Sequence, residues 1–142
     1  MEKTVKKYLL VLFVICLAVS ACASGSNSPS IVGTWKLTAY GPASSPSPAV
    51  ADTEAGLTFE EDGTLTGHSG CNGLGGDYTV DGDQITFSQI ISTLMACEDP
   101  IMTQEGAVHQ VLTETASFKI EGNTLTITNK DTVLVLELVA AE

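Results

Sequence analysis

The sequence has 142 residues, a length that fits a single domain. It contains 17 acidic residues against six lysines and no arginine, so its formal net charge is −11. Because binding to a phosphate backbone needs a basic surface, this composition argues against nucleic acid as a partner. Apolar residues make up 44% of the chain, which is enough to build a folded core and excludes a wholly disordered protein.

The N-terminal segment has the features of an export signal. Lys3, Lys6 and Lys7 precede an apolar run from Tyr8 to Ala21. This run is shorter than the roughly 20 apolar residues that a membrane-spanning helix needs. A short basic region followed by a short apolar run is typical of a secretory signal peptide.

The end of this run resembles a bacterial lipobox, in which an aliphatic residue and two small residues precede a cysteine. Val19-Ser20-Ala21-Cys22 follows that order, so we expect cleavage before Cys22 and acylation of its sulfur. The alternatives are an ordinary cleaved signal with an incidental cysteine, or a short uncleaved anchor. Cleavage leaves three lysines against 16 acids, a formal charge of −13. Such a surface repels anionic head groups, so the acyl chains on Cys22 must hold the protein at the membrane.

The sequence therefore divides into three parts: a signal peptide over residues 1–21, a flexible tether over 22–30 and a folded domain over 31–142. The tether is small, polar and rich in serine. We expect the domain to lie in the cell envelope, on the extracytoplasmic side of the membrane. A second segment rich in proline and serine, Gly41–Pro48, predicts a long exposed loop that extends to Gly56.

Most of the domain alternates apolar and polar residues, which is the pattern of half-buried strands. Hairpin turns are indicated at Glu61-Asp62-Gly63, Asp81-Gly82-Asp83 and Gly122-Asn123. The last strand is apolar on both faces, so we expect both to be covered. The predicted strands are Val32–Tyr40, Leu57–Glu60, Thr64–Ser69, Asp77–Val80, Gln84–Ser88, Ser117–Glu121, Thr124–Thr128 and Thr132–Val139.

One segment, Pro100–Thr113, has helical periodicity instead. Asp99 can cap this helix and Pro100 suits its first position. We expect the apolar face to close the core of the sheet and the opposite face to meet water. The core-facing residues are Ile101, Gln104, Val108, Val111 and Leu112, and the water-facing residues are Thr103, Gln110 and Glu114.

Two cysteines, Cys71 and Cys97, remain in the exported domain. An even pair in an oxidising compartment favours a disulfide, and this bridge would close a loop of 26 residues. The alternatives are two free thiols, or a zinc site with His68 and His109. No second cysteine or histidine pair with the spacing of a zinc motif supports the metal alternative.

Other polar motifs favour structural roles over chemistry. The glycine-rich stretch Gly67–Gly76 lacks the lysine of a phosphate-binding loop, so turns or bulges are its expected use, with a contact surface as the alternative. His68-Ser69 is the one pair that suggests a hydrolase, but no nucleophile elbow accompanies it. The acids at Glu60–Asp62 and Asp81–Asp83 predict solvated turns, with weak calcium binding as the alternative. We therefore predict no catalytic residue, no cofactor and no metal.

Several motifs together resemble the META domain family of HslJ-like bacterial lipoproteins. They are Gly33-Thr34-Trp35-Lys36-Leu37, Gly70-Cys71-Asn72-Gly73, Ile85-Thr86-Phe87, Thr93-Leu94-Met95-Ala96-Cys97, Glu105 and Leu125-Thr126-Ile127. Leu94 departs from the family, where a basic residue is common. The resemblance covers about Ile31 to Val139. It implies a mainly β (α+β) fold: a small, incomplete antiparallel β-barrel of about eight strands with one packing helix.

The resemblance implies no catalytic positions, so we expect a non-enzymatic structural or interaction module, linked to envelope or heat stress. The alternative is a binder of a small hydrophobic ligand or lipid in the barrel interior. The partner would then be an envelope protein or a small apolar molecule. The interior decides between them: a long apolar cavity favours the binder, and filling by aromatic side chains favours the interaction module. Those side chains are Trp35, Phe59, Tyr78, Phe87 and Phe118.

Overall fold

The computed structural model describes residues 30–140. The predicted signal peptide, the acylation site Cys22 and all of the tether except Ser30 lie outside these residues. Within 30–140, no helix is long and apolar enough to cross a membrane. The elements in chain order are β1 (Gly33–Pro42), β2 (Ser47–Pro48), β3 (Gly56–Phe59), β4 (Thr64–His68), β5 (Gly73–Asp81), β6 (Gln84–Ser92), α1 (Asp99–Val111), β7 (Thr115–Glu121), β8 (Thr124–Asn129) and β9 (Thr132–Leu138).

Eight of the described strands close into an antiparallel barrel. Each strand from β3 to β9 pairs with its neighbour in sequence, β1 pairs with β3, and β9 returns to pair with β1. The two-residue β2 lies outside this ring against β1. The predicted barrel of about eight strands with one helix before the last three is confirmed.

The ring is closed, but it is thin between β6 and β7. Only Gln84, Ile85 and Thr86 of β6 have partners in β7. One further hydrogen bond, from the Phe87 N–H to the Glu114 carbonyl oxygen at 3.2 Å, ends the contact. From Ser88 onward, β6 pairs with β5 alone among the described strands. The barrel therefore has a seam along this part of β6.

The hairpin turns lie where the sequence predicts them. Gly82, between β5 and β6, has a φ of +61°, a conformation that glycine adopts without strain. Several boundaries differ from the prediction: β6 continues to Ser92 rather than ending at Ser88, and β7 begins at Thr115 rather than at Ser117. The expected loop after Tyr40 contributes two more residues to β1 and the short β2, and β5 begins at Gly73 rather than at Asp77. The first residues of β5 were not predicted, because the glycines before Asp77 have no side chains and so give no alternating pattern.

The barrel interior is filled by large apolar side chains. Trp35 is buried and its indole N–H donates to the Ile31 carbonyl oxygen at 2.7 Å. Phe59 and Tyr78 pack edge to face, with ring centroids 5.0 Å apart. Phe87 is also buried, and Phe118 packs half-buried against the same cluster. Of the two interiors that the sequence left open, the structure shows the one filled by aromatic side chains.

Helix α1 packs against β1, β8 and β9. Gln104, Val108, Val111 and Leu112 are buried as predicted, Ile101 is half-buried, and the predicted outer face is exposed. The predicted cap is wrong: Asp99 is the first helical residue, Glu98 precedes it, and no side chain caps this end. The carboxylate of Asp99 still lies in the first turn, where the helix dipole favours it.

The last strand is covered unevenly. Leu134 and Leu136 face the barrel interior and are fully buried. On the other face Val133 is buried and Val135 is half-buried, whereas Val139 is exposed beyond the end of β9. The expectation that both faces are covered therefore holds for the first half of the strand only.

A substitution at Val108 tests whether α1 belongs to the core. Val108 is 3% exposed and lines a small gap, with Leu37, Leu57, Leu134 and Leu136, that has no room for water. Val108→Asp buries a carboxyl group without a partner, so we expect it to lower the free energy of unfolding by about 3 kcal/mol. Thr113→Lys, at an exposed position after the helix, is the matched control and should be near neutral. Equal melting temperatures for the two variants would mean that α1 is not part of the core.

Candidate functional site

The main polar feature of the core lies where the β4–β5 loop meets α1. Four buried residues, Ser69, Asn72, Gln104 and Glu105, form what we call the Glu105 cluster. The loop supplies Ser69 and Asn72, and two adjacent helical positions supply Gln104 and Glu105. Because the loop joins the end of β4 to the start of β5, this cluster lies at one end of the barrel.

The carboxyl group of Glu105 is the centre of this cluster. Its Oε2 accepts a hydrogen bond from the Ser69 hydroxyl at 2.6 Å. The Asn72 side-chain amide donates to both carboxyl oxygens, at 2.9 and 3.0 Å. His109 approaches one helical turn away, with Nε2 3.9 Å from Oε1. Glu105 is only 7% exposed, so these donors replace the water that a surface carboxyl group would have.

Asn72 also fixes the segment that connects β6 to α1. Its Oδ1 accepts hydrogen bonds from the Thr93 hydroxyl and the Met95 N–H, each at 2.7 Å. Its Nδ2 donates to the Met95 carbonyl oxygen at 3.0 Å. One side chain therefore joins the β4–β5 loop, α1 and the β6–α1 segment.

Gln104 connects the same loop to the β2–β3 loop. Its Nε2 donates to the Ser69 carbonyl oxygen at 2.8 Å, and its Oε1 accepts from the Val50 N–H at 2.8 Å. Gly70 is packed directly against it: a Cβ at this position would lie 2.5 Å from Nε2 of Gln104. The φ of Gly70 is +109°, so any other residue would be strained here as well as obstructed.

The structure joins Cys71 and Cys97 in a disulfide, with the sulfurs 1.97 Å apart. This bond links the β4–β5 loop to the residue two positions before α1. Because each sulfur is bonded to the other, neither is a thiolate ligand for the zinc site considered as an alternative. Among residues 30–140, no group of three or more cysteine, histidine or acidic residues has the arrangement of a metal site.

The residues that suggested a hydrolase do not form one in this structure. Ser69 is completely buried and its hydroxyl donates to Glu105, while the Asn72 N–H donates to its oxygen. His68 accepts a hydrogen bond at Nδ1 from the Gly70 N–H and has no bond to Ser69. The hydroxyl therefore has no histidine partner, and its burial leaves no path to a substrate.

Two residues near the β3–β4 turn, Asp62 and Tyr78, have shifted pKa values. The backbone and side chain of Thr64 donate to Asp62 and lower the pKa of its carboxyl group. Burial, and then the charges of Asp62 and Glu60, raise the pKa of Tyr78, whose hydroxyl donates to the Glu60 carbonyl oxygen. Both groups belong to the β3–β4 turn and its neighbour β5. Hydrogen bonds from Thr64 explain the shift at Asp62, and burial with two nearby acids explains the shift at Tyr78.

The described residues leave no polar side-chain atom buried without a partner. The Glu105 cluster therefore acts as a bracket that holds three segments together, and it offers no free group for chemistry. The sequence motifs include Cys71, Cys97 and Glu105. The helical pattern predicted that Gln104 faces the core, but no pattern predicted that Ser69 bonds to Glu105. The detectable signal was a pair of adjacent polar residues, Gln104 and Glu105, on a face that is otherwise apolar.

The bracket predicts a large cost for the loss of Asn72. Asn72→Ala removes the amide donor to Glu105 and the acceptor for Thr93 and Met95. We expect the free energy of unfolding to fall by about 2–4 kcal/mol in denaturant titrations. Asn123→Ala, in the exposed β7–β8 turn, is the matched control and should change stability by less than about 0.5 kcal/mol. A loss no larger than that of the control would contradict the bracket.

The disulfide can be tested by chemistry. Non-reducing peptide mapping of freshly isolated protein should find Cys71 joined to Cys97. Reduction should then lower the free energy of unfolding by about 3–4 kcal/mol, as expected for a loop of 26 residues in the chain-entropy model. Two thiols open to alkylation before reduction, or one bound zinc ion per chain, would contradict this pairing.

Comparisons with known proteins place the fold and the family. An NMR structure of a protein from Burkholderia xenovorans is 22% identical, covers 77% of this chain and 83% of its own, and has a TM-score of 0.63. A lipocalin-like protein from Bacteroides uniformis is 16% identical, covers 76% and 97%, and has a TM-score of 0.51. No curated protein matches. The model of the META domain matches residues 29–141, nearly the whole of the chain after the predicted tether. This chain belongs to the META domain family.

Proposed function

We propose that this protein is a non-enzymatic interaction module of the cell envelope, held at the membrane by acyl chains on Cys22. The observation that carries the proposal is the filled barrel. Trp35, Phe59, Tyr78 and Phe87 occupy the interior, and the small gap beside Val108 does not admit a water molecule. A barrel that binds a small ligand needs an interior cavity of a few hundred cubic ångströms, so the filling favours an outer surface as the place of binding.

The distribution of polar groups supports the same function. The Glu105 cluster uses its hydrogen-bonding groups within the fold, and the hydroxyl of Ser69 is inaccessible. A disulfide between Cys71 and Cys97 suits an oxidising compartment outside the cytoplasm. Of the seven exposed large apolar side chains in residues 30–140, four lie between the end of β6 and the first turns of α1: Ile91, Leu94, Met95 and Met102. The other three are Val80, Leu138 and Val139. Exposed apolar groups of this kind are typical of protein contacts.

The proposed anchor rests on the sequence Val19-Ser20-Ala21-Cys22 and on the tether that follows it. A formal charge of −13 on the cleaved chain makes direct binding to anionic lipid unfavourable, so covalent acyl chains supply the membrane affinity. The proposed link to envelope or heat stress comes with the family resemblance. It would be tested by measuring the amount of the protein after heat or envelope damage.

The anchor is tested by comparing the two cysteines of the N-terminal segment. Cys22→Ser should abolish labelling with a radioactive or alkyne fatty acid and leave the protein outside the membrane fraction. Cys16→Ser, inside the apolar run, is the matched control and should be labelled and membrane-bound as before. Labelling that survives in Cys22→Ser, or that is lost in Cys16→Ser, would contradict acylation of Cys22.

A further inference from the structure

We infer that the open edge of β6 and the apolar loop after it form a docking surface for an extended segment of a partner protein, with alternating apolar and basic residues. This inference rests on the proposed interaction function and identifies its site. We call the surface the β6 edge: the backbone of Ser88–Ser92 and the side chains of Ile91, Leu94 and Met95. It lies outside the barrel and contains no residue of the Glu105 cluster, although the Met95 backbone is bonded to Asn72.

The backbone of the β6 edge has groups without a strand partner. Of the described strands, only β5 pairs with β6 beyond Thr86. Leu74 of β5 lies opposite Ser92, and the Thr93 N–H donates to the Gly73 carbonyl oxygen. Backbone groups alternate in direction along an antiparallel strand, so the N–H of Ser92 points away from β5. An unpaired edge of this kind can accept a further strand.

Beside the start of the β6 edge there is space between β6 and the second half of α1. A crevice of about 260 Å³ there is lined on one side by Phe87 and Ile90 and on the other by His109 and Leu112. A side chain at one end of an added strand would reach this crevice, because its lining on β6 ends at Ile90. The bulge at Gln89, whose φ is +54°, limits regular pairing to the residues after it.

The apolar side chains of the β6 edge are far more exposed than is usual for their type. Leu94 is 94% exposed, Ile91 73% and Met95 57%. Their exposure does not come from a loose loop, because Asn72 bonds to both the N–H and the carbonyl oxygen of Met95. The disulfide at Cys97 holds the other end. An apolar surface that is already ordered loses little entropy on binding, which favours its use as a contact site.

The charges around the β6 edge decide the kind of partner. Asp77 bonds to Gln89 beside the edge, Glu98 and Asp99 follow the apolar loop, and Glu114 lies at the seam where β7 pairing ends. These acids favour a basic partner. They also disfavour a second copy of this strongly acidic chain and an anionic membrane. A bilayer surface, in addition, offers no backbone to pair with the edge, whereas an extended peptide offers both hydrogen bonds and side chains.

The test uses the purified protein and a defined probe. The probe is a peptide of about eight residues in which valine and lysine alternate, and a valine–glutamate peptide of equal length is the charge control. We expect the basic peptide to shift the amide NMR signals of Ser88–Met95 and the acidic peptide to leave them unchanged. Shifts spread evenly over the acidic surface would overturn the inference, because they would indicate unspecific attraction.

Two variants separate the side-chain and backbone contributions. Leu94→Ser removes an exposed apolar group, and Ser92→Pro removes the N–H that faces the open edge, a substitution that edge strands tolerate. Each should weaken binding of the basic peptide by at least about tenfold, as expected for a central contact. Val80→Ser is the matched control, because Val80 is 45% exposed at the other end of β5. Equal binding by all three variants would overturn the inference.

A lipid surface or a second copy of the chain, if either occupied the β6 edge instead of a peptide, would give a different result. Leu94-dependent binding to phosphatidylcholine vesicles, or a dimer that Leu94→Ser abolishes, would overturn the choice of a peptide partner. In cells, a photo-crosslinking residue placed at position 94 should capture a protein, and one at position 80 should not. Capture from position 80 alone would leave the proposed interaction function in place and refute this surface. Capture from position 94 alone, together with the loss of peptide binding in Leu94→Ser, would support the β6 edge as the docking surface.

Discussion

The interaction on which the rest of the structure depends is the burial of the Glu105 carboxyl group against Ser69 and Asn72. A carboxyl group removed from water is destabilising unless its oxygens are hydrogen-bonded, and here the β4–β5 loop supplies the donors. The same contacts fix the position of α1 on the barrel, since Glu105 and the core residue Val108 lie on adjacent turns of one helix. Separation of the loop from the helix would therefore expose the core and leave the carboxyl group without its partners at the same time.

The disulfide and the bracket reinforce each other because they join the same segments. Cys71 lies between Ser69 and Asn72, so the covalent bond and the hydrogen bonds to Glu105 begin within four residues of one another. At the other end, Cys97 follows Met95, whose backbone is bonded to Asn72. The covalent link restricts the unfolded chain, and the polar contacts select one arrangement of the folded chain.

Sequence patterns predicted the elements that depend on local physics. Strands with alternating residues, the hairpin turn at Gly82 and the buried face of α1 each follow from the neighbours of a residue in the chain. The start of β5 was not predictable in this way, because Gly73, Gly75 and Gly76 carry no side chains to alternate. The bracket was not predictable either. Its bonds join Ser69 to Glu105 across 36 positions, and only the folded chain brings these residues together.

The open edge of β6 is a consequence of the bracket. After Ser92 the chain leaves the sheet, passes the Asn72 contacts at Thr93 and Met95, and enters α1, which is fixed at the barrel end through Glu105. It returns to the sheet only at Thr115, opposite Thr86. In this structure the two strands joined by α1, β6 and β7, pair over three residues only. The contacts that fix the helix thus leave part of β6 with one strand neighbour, and they present the connecting residues, Leu94 above all, to the solvent. The hydrogen bonds of the buried Asn72 side chain therefore stabilise the fold and also hold the segment in which Leu94 is exposed.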